Sequence, residues 1–232
     1  MDPKGLTVYT SPFTKIRLGN DCDGGYVMVD IPGIQYNVLL AGGIERDISF
    51  EEAFIEKYEN VKTFAFDGTI SCLPKQNDKI TFIRKNIGSV NTDQITNLHD
   101  IINQSESIFV KMDIEGSEIP WIKSLTHEQL NKFQQILMEF HFPFSENEKE
   151  VFDKINQTHY LIHFHGNNCC GVRYHKGVLV PNVFECSYLH KKYFKTIPEL
   201  NRDVIPSSLD MKNVEKNSEI YINYPPFVNY IR

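Results

Sequence analysis

The chain has 232 residues, of which 24 are Lys or Arg and 30 are Asp or Glu, so its formal net charge is −6. This length suits one α/β domain with a core large enough to fold without metal or disulfide staples. The 41% hydrophobic and 23% charged residues exclude wholesale disorder, and the acidic balance argues against a nucleic-acid-binding protein.

Short apolar runs and stretches with helical spacing alternate along the middle of the chain. In chain order they predict a strand over 37–41, a helix over about 50–58, strands over 61–66 and 80–83, a helix over 95–102, a strand over 107–112, a helix that starts near Ser117 and restarts at Thr126, a strand over 135–140, a helix from Ser145, and strands over 160–164 and 183–189. The pairs Ser49 with Glu52, Thr126 with Gln129 and Ser145 with Glu148 have the spacing of helix capping boxes.

This alternation predicts a mostly parallel sheet with helices on both faces. We assign residues 37–190 to the α/β core and residues 1–36 to an N-terminal hairpin or flap region. Residues 191–232 form a Pro-rich and aromatic tail that we expect to pack on the same domain. Ligands of such sheets bind where the strands end, and the distinctive polar residues fall there.

The first two strand ends indicate a ligand that contains a nucleoside. Gly42 and Gly43 after the first strand would let a ligand approach the backbone, although a plain tight turn gives the same pattern. Asp67 ends the second strand and is placed to accept hydrogen bonds from both ribose hydroxyls, and Gly68 keeps the crevice open. A solvated Asp-Gly turn is the alternative.

The next two strand ends complete the pattern. Asn86 and Ile87 follow the third strand and could read an adenine. The fourth strand ends in the string KMDIEGSE at 111–118, whose acids are costly at a sheet edge unless they are solvated, paired or used. Solvation explains Glu118 well and Asp113 less well, because Asp113 directly follows a buried strand.

Several of these strings resemble the FkbM-type branch of S-adenosylmethionine-dependent methyltransferases. They are VLLAGGIERDISF at 38–50, AFDGT at 65–69, KMDIEGSE at 111–118, the Gly-Gly-Tyr element RLGNDCDGGY at 17–26, and PSSLDMKN at 206–213. The resemblance spans roughly residues 17–224. The chain departs from it in the first turn, which reads Gly-Gly-Ile where relatives usually carry a turn like Gly-Ile-Gly.

The resemblance implies a Rossmann-like, seven-stranded class I methyltransferase fold that binds S-adenosylmethionine. It places the methionine part of the cofactor at Gly42, Gly43 and Ile44, the ribose at Asp67 and the adenine at Asn86 and Ile87. Ser49, with Phe50, would close the pocket from the first helix.

Methyl transfer also requires removal of a proton from the acceptor. We predict Asp113, Glu115 and His141 as the catalytic groups, with His141 as general base in the absence of a metal. Equally open is a divalent metal, since Asp113, Glu139, His141 and His165 could converge at one edge of the sheet. Of these we take Asp113, Glu139 and His165 as the ligands of an ion that would lower the pKa of an acceptor oxygen.

The expected activity is therefore O-methylation of a small molecule or of a sugar in a glycan precursor. The alternatives are a nicotinamide-dependent oxidoreductase on the same fold, against which the incomplete glycine fingerprint argues, and a non-catalytic binding module. The sequence decides neither the acceptor nor the oligomeric state.

The sequence also indicates a compartment. No run approaches the roughly 18 consecutive apolar residues of a membrane span, and the first residues lack a signal-peptide pattern, so we expect a cytoplasmic protein without membrane contact. Cys169 and Cys170 are adjacent, which is poor geometry for an ordinary disulfide, and we expect mostly inert thiols, with zinc binding by this pair as a lesser alternative.

Overall fold

The computed structural model of the chain describes residues 1–230, apart from the side chain of Asn147. The strands are β1 (Lys15–Leu18), β2 (Tyr26–Val29), β3 (Val38–Gly42), β4 (Lys62–Phe66), β5 (Ile80–Ile83), β6 (Asn86–Ile87), β7 (Ile95–Thr96), β8 (Ile108–Met112), β9 (Phe133–His141), β10 (His159–Gly166), β11 (Val172–His175), β12 (Val178–Pro181) and β13 (Val183–His190). The α-helices are α1 (Ser49–Lys57), α2 (His99–Asn103), α3 (Glu118–Ser124), α4 (His127–Asn131) and α5 (Lys149–Thr158).

The seven predicted strands form one central sheet in the order β10-β13-β9-β8-β3-β4-β5. β13 runs antiparallel to both of its neighbours, and the other neighbouring pairs are parallel. The predicted mostly parallel sheet is therefore confirmed. Because β13 lies between β9 and β10, the last two parallel strands are not neighbours in space.

Alternate residues of the central strands face two different hydrophobic layers. Val38 and Leu40 of β3 pack with α2, α3, α4 and α5 on one side of the sheet. Leu39 and Ala41 pack on the other side with α1 and with Met28 of β2. Helices thus cover both faces, as predicted, but on the second face α1 shares the cover with the antiparallel β1–β2 hairpin.

The predicted helix over 95–102 is much shorter in the structure. Ile95 and Thr96 pair as β7 with β6, and α2 begins only at His99. The Thr96 hydroxyl accepts a hydrogen bond from the Leu98 N–H at 3.2 Å, and Leu98 has a left-handed φ of 64°. Such local side-chain bonds compete with helix formation, so the apolar spacing extends beyond the helix itself.

The three predicted capping boxes fare differently. Thr126 and Gln129 form the complete box at the start of α4, and the Glu148 carboxylate accepts a hydrogen bond from the Ser145 N–H. The box at Ser49 is wrong, because Ser49 is already the first residue of α1. Its N–H is held instead by Asp47, at 2.8 Å.

The segments outside the predicted core pack on the same sheet. The predicted N-terminal hairpin exists as β1 and β2, and all four residues of β2 are buried. In the tail, Phe227 and Val228 join the core cluster that contains α3 and α5. The β11–β12 hairpin was not predicted from the sequence.

Candidate active site at the carboxyl ends of the strands

A cavity of about 500 Å³ opens where the central strands end. Of the eight residues predicted to bind the cofactor, Gly43, Asp67, Asn86 and Ile87 line it. The other four, Gly42, Ile44, Ser49 and Gly68, are not among the residues that line it. The predicted catalytic residues Asp113 and Glu115 line the same cavity, so one space joins both predicted sites.

The turn after β3 is shaped by packing against the turn after β8. A Cβ on Gly43 would lie 1.5 Å from the Asp113 carbonyl oxygen, and its φ is +69°. A Cβ on Gly42 would meet the side chains of Ile87 and Met112, which explains why this glycine lies beneath the cavity surface. Ile44 is buried in the cluster with α1. These glycines are thus required by the fold itself.

Asp67 stands at the end of β4 as an acceptor for two neighbouring loops. Its Oδ1 accepts hydrogen bonds from the N–H and the hydroxyl of Thr69, at 2.7 and 2.6 Å. Its Oδ2 accepts one from the Glu45 N–H at 2.9 Å. Burial raises the pKa of Asp67, but these hydrogen bonds, those of Thr69 first, outweigh it and hold the pKa below its ordinary value. The residue is therefore an ionised acceptor in the cavity wall.

Asn86 and Ile87 supply a polar and an apolar part of the opposite wall. The Asn86 Oδ1 accepts a hydrogen bond from the Gly68 N–H at 3.0 Å. Within residues 1–230 its amide nitrogen donates to no other group, so it remains available to a ligand. A Cβ on Gly68 would lie 2.5 Å from this amide, so Gly68 acts by admitting Asn86. Ile87 is buried and presents an apolar surface to the cavity.

Ser49 is held away from the cavity. Its hydroxyl donates to Asp47 at 3.0 Å and accepts from the Asn20 N–H at 3.0 Å. Ser49 therefore ties α1 to the loop between β1 and β2, and its predicted role in closing the pocket stays a prediction.

The acidic string after β8 forms a tight loop around one buried carboxylate. Glu118 is 0% exposed, and its Oε1 accepts hydrogen bonds from the N–H groups of Ile114 and Gly116, at 3.1 and 3.2 Å. The expectation that Glu118 is solvated is wrong, because this residue holds the loop together. The side chain of Glu115, in contrast, is 75% exposed.

Asp113 lies between the cavity and the second face of the sheet. The Tyr26 hydroxyl donates to its Oδ2 at 3.2 Å. Burial raises its pKa to about 6, although Lys111 and His141 act in the opposite direction. Asp113 is thus a carboxyl group whose protonation changes near neutral pH.

His141, at the end of β9, faces several carboxylates. Its Nδ1 is 3.1 Å from Glu118 Oε1, and its Nε2 is 3.7 Å from Asp113 Oδ1 and 3.5 Å from Glu115 Oε2. Burial lowers the pKa of His141, but the hydrogen bond with Glu118 and the surrounding charges outweigh it and raise the pKa above its ordinary value. The three predicted catalytic residues therefore do lie together.

Glu139 joins this group, whereas His165 does not. One ligand atom each from Asp113, Glu139 and His141 lies within 4.8 Å of the others. Burial, then the charges of Asp113 and Glu185, raise the pKa of Glu139 well above its ordinary value. His165 pairs with Glu185 across β10 and β13, and Glu185 pairs in turn with Glu139. The predicted set Asp113, Glu139 and His165 is therefore corrected, because β13 separates His165 from Glu139.

His165 has carboxylate partners of its own. Its Nδ1 is 3.5 Å from Glu185 and its Nε2 is 3.6 Å from Glu219 in the tail. Burial lowers its pKa, but these two contacts outweigh it and raise the pKa to about 10. His165 is a charged link between the sheet and the tail.

Four residues that organise the site are not among the predicted catalytic, cofactor-binding or metal-binding residues. They are Tyr26 and Lys111, whose Nζ donates to the Gly43 carbonyl at 3.1 Å, together with Glu118 and Asn167. For Glu118 a signal was present, because an acid at the first turn of a predicted helix commonly accepts from free N–H groups there. Tyr26 and Asn167 come from distant segments, and the sequence carries no signal for their contacts.

The structure joins Cys169 and Cys170 in a disulfide, which corrects the expectation of free thiols at this pair. Cys22, Cys72 and Cys186 are free.

Comparison of the sequence with models of protein families and with curated proteins finds no match. None of the helices between residues 1 and 230 is both long and apolar enough to cross a bilayer.

Proposed function

We propose that this chain is an S-adenosylmethionine-dependent methyltransferase that methylates a hydroxyl group of a small molecule or sugar. The observation that carries the proposal is the ionised Asp67 in the wall of a cavity that also contains Gly43, Asn86 and Asp113. The strand order supports it. Read from β5, the sheet runs in the doubly wound order with one antiparallel strand added, and such sheets bind nucleotides at the carboxyl ends of their strands.

The residues around the cavity fit an adenosyl group. Asp67 would accept a hydrogen bond from a ribose hydroxyl at Oδ2, which accepts only from the Glu45 N–H and so has a second lone pair, whereas Thr69 uses both lone pairs of Oδ1. The Asn86 amide nitrogen would donate to the adenine ring, and Ile87 would pack against its face. The backbone at Gly43 would border the methionine part. When bound, the cofactor supplies an electrophilic methyl group, whose bond to sulfur breaks as the bond to the acceptor oxygen forms.

The chain's own contribution to the reaction is to take the acceptor proton. Asp113 lines the cavity, and its pKa of about 6 suits a group that accepts a proton near neutral pH. His141 lies behind it, 3.7 Å away, and stabilises the ionised carboxylate. Glu115 is exposed at the cavity mouth, where it can contact the acceptor.

Calorimetric titration with S-adenosylhomocysteine tests the proposal. We expect binding by the unmodified chain and a loss of about tenfold or more in affinity for Asp67→Asn, which weakens the ribose acceptor. Asp153→Asn is the matched control, because Asp153 lies on α5 with a half-exposed side chain. Its affinity should equal that of the unmodified chain.

The outcome that overturns the proposal is a folded protein that does not bind S-adenosylhomocysteine. Binding of NAD alone would instead support the oxidoreductase, and binding of neither cofactor would leave a non-catalytic binding module as the better interpretation.

A further inference from the structure

Three side chains next to the cavity converge on one point. Nε2 of His141 is 3.7 Å from Oδ1 of Asp113 and 3.9 Å from Oε1 of Glu139. One ligand atom from each of the three residues lies within 4.8 Å of the other two. Two carboxylates and an imidazole at this separation form a possible set of ligands for one divalent ion.

Each of the three side chains is oriented by a separate partner. Glu118 Oε1 is 3.1 Å from Nδ1 of His141, which leaves Nε2 toward the carboxylates. The Asn167 amide donates to Glu139 at 2.8 Å, and the Tyr26 hydroxyl donates to Asp113 at 3.2 Å. Metal-bound histidines and carboxylates in proteins are typically fixed by such outer hydrogen bonds.

Glu139 has one carboxylate oxygen without a hydrogen-bond partner at this point. The residue is only 3% exposed, and its Oε1 accepts from Asn167. Its Oε2 has no partner within residues 1–230 and is not among the fully buried unpartnered atoms there, so an ion can reach it. Glu139 and Asp113 have His141 as their ion-pair partner in that part of the chain. Buried carboxylates with so little compensation are costly unless a cation binds them.

We propose that Asp113, Glu139 and His141 bind a divalent first-row transition metal such as Mn²⁺. The imidazole nitrogen favours such a metal over Mg²⁺ or Ca²⁺, which prefer oxygen ligands alone. Asp113 belongs both to this set and to the cavity wall, so the ion would lie beside the reacting groups. Building on the proposed function, the ion would bind the acceptor oxygen and lower the pKa of its hydroxyl. With the ion bound, Asp113 would act as its ligand and not as the proton acceptor proposed for the metal-free chain.

The test is titration of the full chain with Mn²⁺, without cofactor, by electron paramagnetic resonance of the free ion. We expect one site per chain and a loss of about tenfold or more in affinity for each of Asp113→Asn, Glu139→Gln and His141→Gln. Two variants should bind as the unmodified chain does. They are Glu128→Gln, an exposed acid on α4, and His165→Gln, which tests the ligand set predicted from the sequence.

Circular dichroism and thermal unfolding establish that each variant is folded. If His141→Gln does not fold, the conservative variant Asp113→Asn provides the test of the ligand set. The proposal is overturned if the folded unmodified chain binds no Mn²⁺, or if binding survives all three ligand substitutions. Loss of binding in His165→Gln alone would also overturn it. Titration with S-adenosylhomocysteine is independent of this result, so failure of the metal site leaves the proposed cofactor site separately tested.

Discussion

At the scale of single residues, Gly43 is a position where both the fold and the proposed ligand require the absence of a side chain. Its positive φ and the Asp113 carbonyl directly in front of it leave no space for a side chain. The absence of a side chain would also let a cofactor approach the backbone. Glycine at this position is therefore explained by packing alone, and the case for a ligand depends on Asp67 and Asn86.

Substitution of two glycines separates backbone strain from steric conflict. Gly116→Ala places a side chain at φ +93° with nothing within 4 Å, so we expect a loss of about 1–2 kcal/mol in unfolding free energy. Gly43→Ala adds a collision with the Asp113 backbone, and we expect a loss above about 4 kcal/mol or no soluble protein. Urea denaturation measures both. Equal losses would show that the two turns do not pack as described.

The types of residue at the strand ends predicted part of the candidate site. Which of these residues lie close together depends on the order of the strands in the sheet. Asp113, Glu115 and His141 follow strand ends that the apolar runs identify, and they do meet. His165 follows a strand end too, but the insertion of β13 moves it away from Glu139. Strand order is a long-range property that these local patterns do not contain.

At the scale of elements, the loop after β10 is held by hydrogen bonds rather than by its disulfide. The Asn182 N–H donates to the Gly171 carbonyl at 3.0 Å, and its amide donates to the Cys170 carbonyl at 2.9 Å. The Cys169 N–H donates to Asn167, at 2.9 Å. Asn167 also holds Glu139, so this loop supports the candidate site.

The disulfide should therefore matter little to stability. It joins neighbouring residues and closes no chain loop, so it restricts the unfolded chain very little. We expect the double variant Cys169→Ser, Cys170→Ser to lose less than about 1 kcal/mol in unfolding free energy. Asn182→Ala, which removes the amide bond to the loop, should lose about 1–2 kcal/mol. Urea denaturation that reversed this order would show that the disulfide, not Asn182, holds the loop.

Elements with strong local signals could be predicted and weak ones could not. All seven strands of the sheet appear as apolar runs, because this sheet is covered on both faces and buries most of their residues, those of the antiparallel β13 included. The capping box at Thr126 could be predicted because its two residues are only three positions apart in the sequence. β6 and β7 have two residues each and pair only with each other, so they carry no apolar run that predicts a strand. The apolar spacing that begins at Ile95 predicted a helix there instead.

At the scale of the whole molecule, the segments before and after the alternating pattern are part of its structure. Leu6 and Phe227 lie in one core cluster, and Tyr9 pairs with Leu200. The tail is fixed further by His163, whose Nε2 is 2.7 Å from Asp210. The first two contacts join segments about 200 positions apart and the third spans 47 positions, so no local periodicity reveals them. The tail is thus fixed to the core and to β10 by specific contacts.

A buried histidine in this sheet makes the stability of the whole molecule sensitive to acid. His159 is 0% exposed, its Nε2 is 2.8 Å from the Phe133 carbonyl, and its Nδ1 is 2.7 Å from the Thr158 hydroxyl. Burial, and then the nearby His190, lower its pKa to about 3. The folded protein therefore keeps this ring neutral, whereas an unfolded chain protonates it below about pH 6.5.

The contribution of His159 to the unfolding free energy should consequently fall as the pH falls from about 6.5 toward 3. By pH 5 the contribution of His159 to this loss is about 2 kcal/mol, because the unfolded state alone gains the proton. His159→Gln is expected to be less stable at pH 7.5, since it disturbs two buried hydrogen bonds, but its loss between pH 7.5 and 5 should be smaller by about that amount. His127→Gln, an exposed substitution on α4, should show the same pH dependence as the unmodified chain. Chemical denaturation at the two pH values provides the comparison, and an identical loss in the His159 variant would mean that this ring is not kept neutral by the fold.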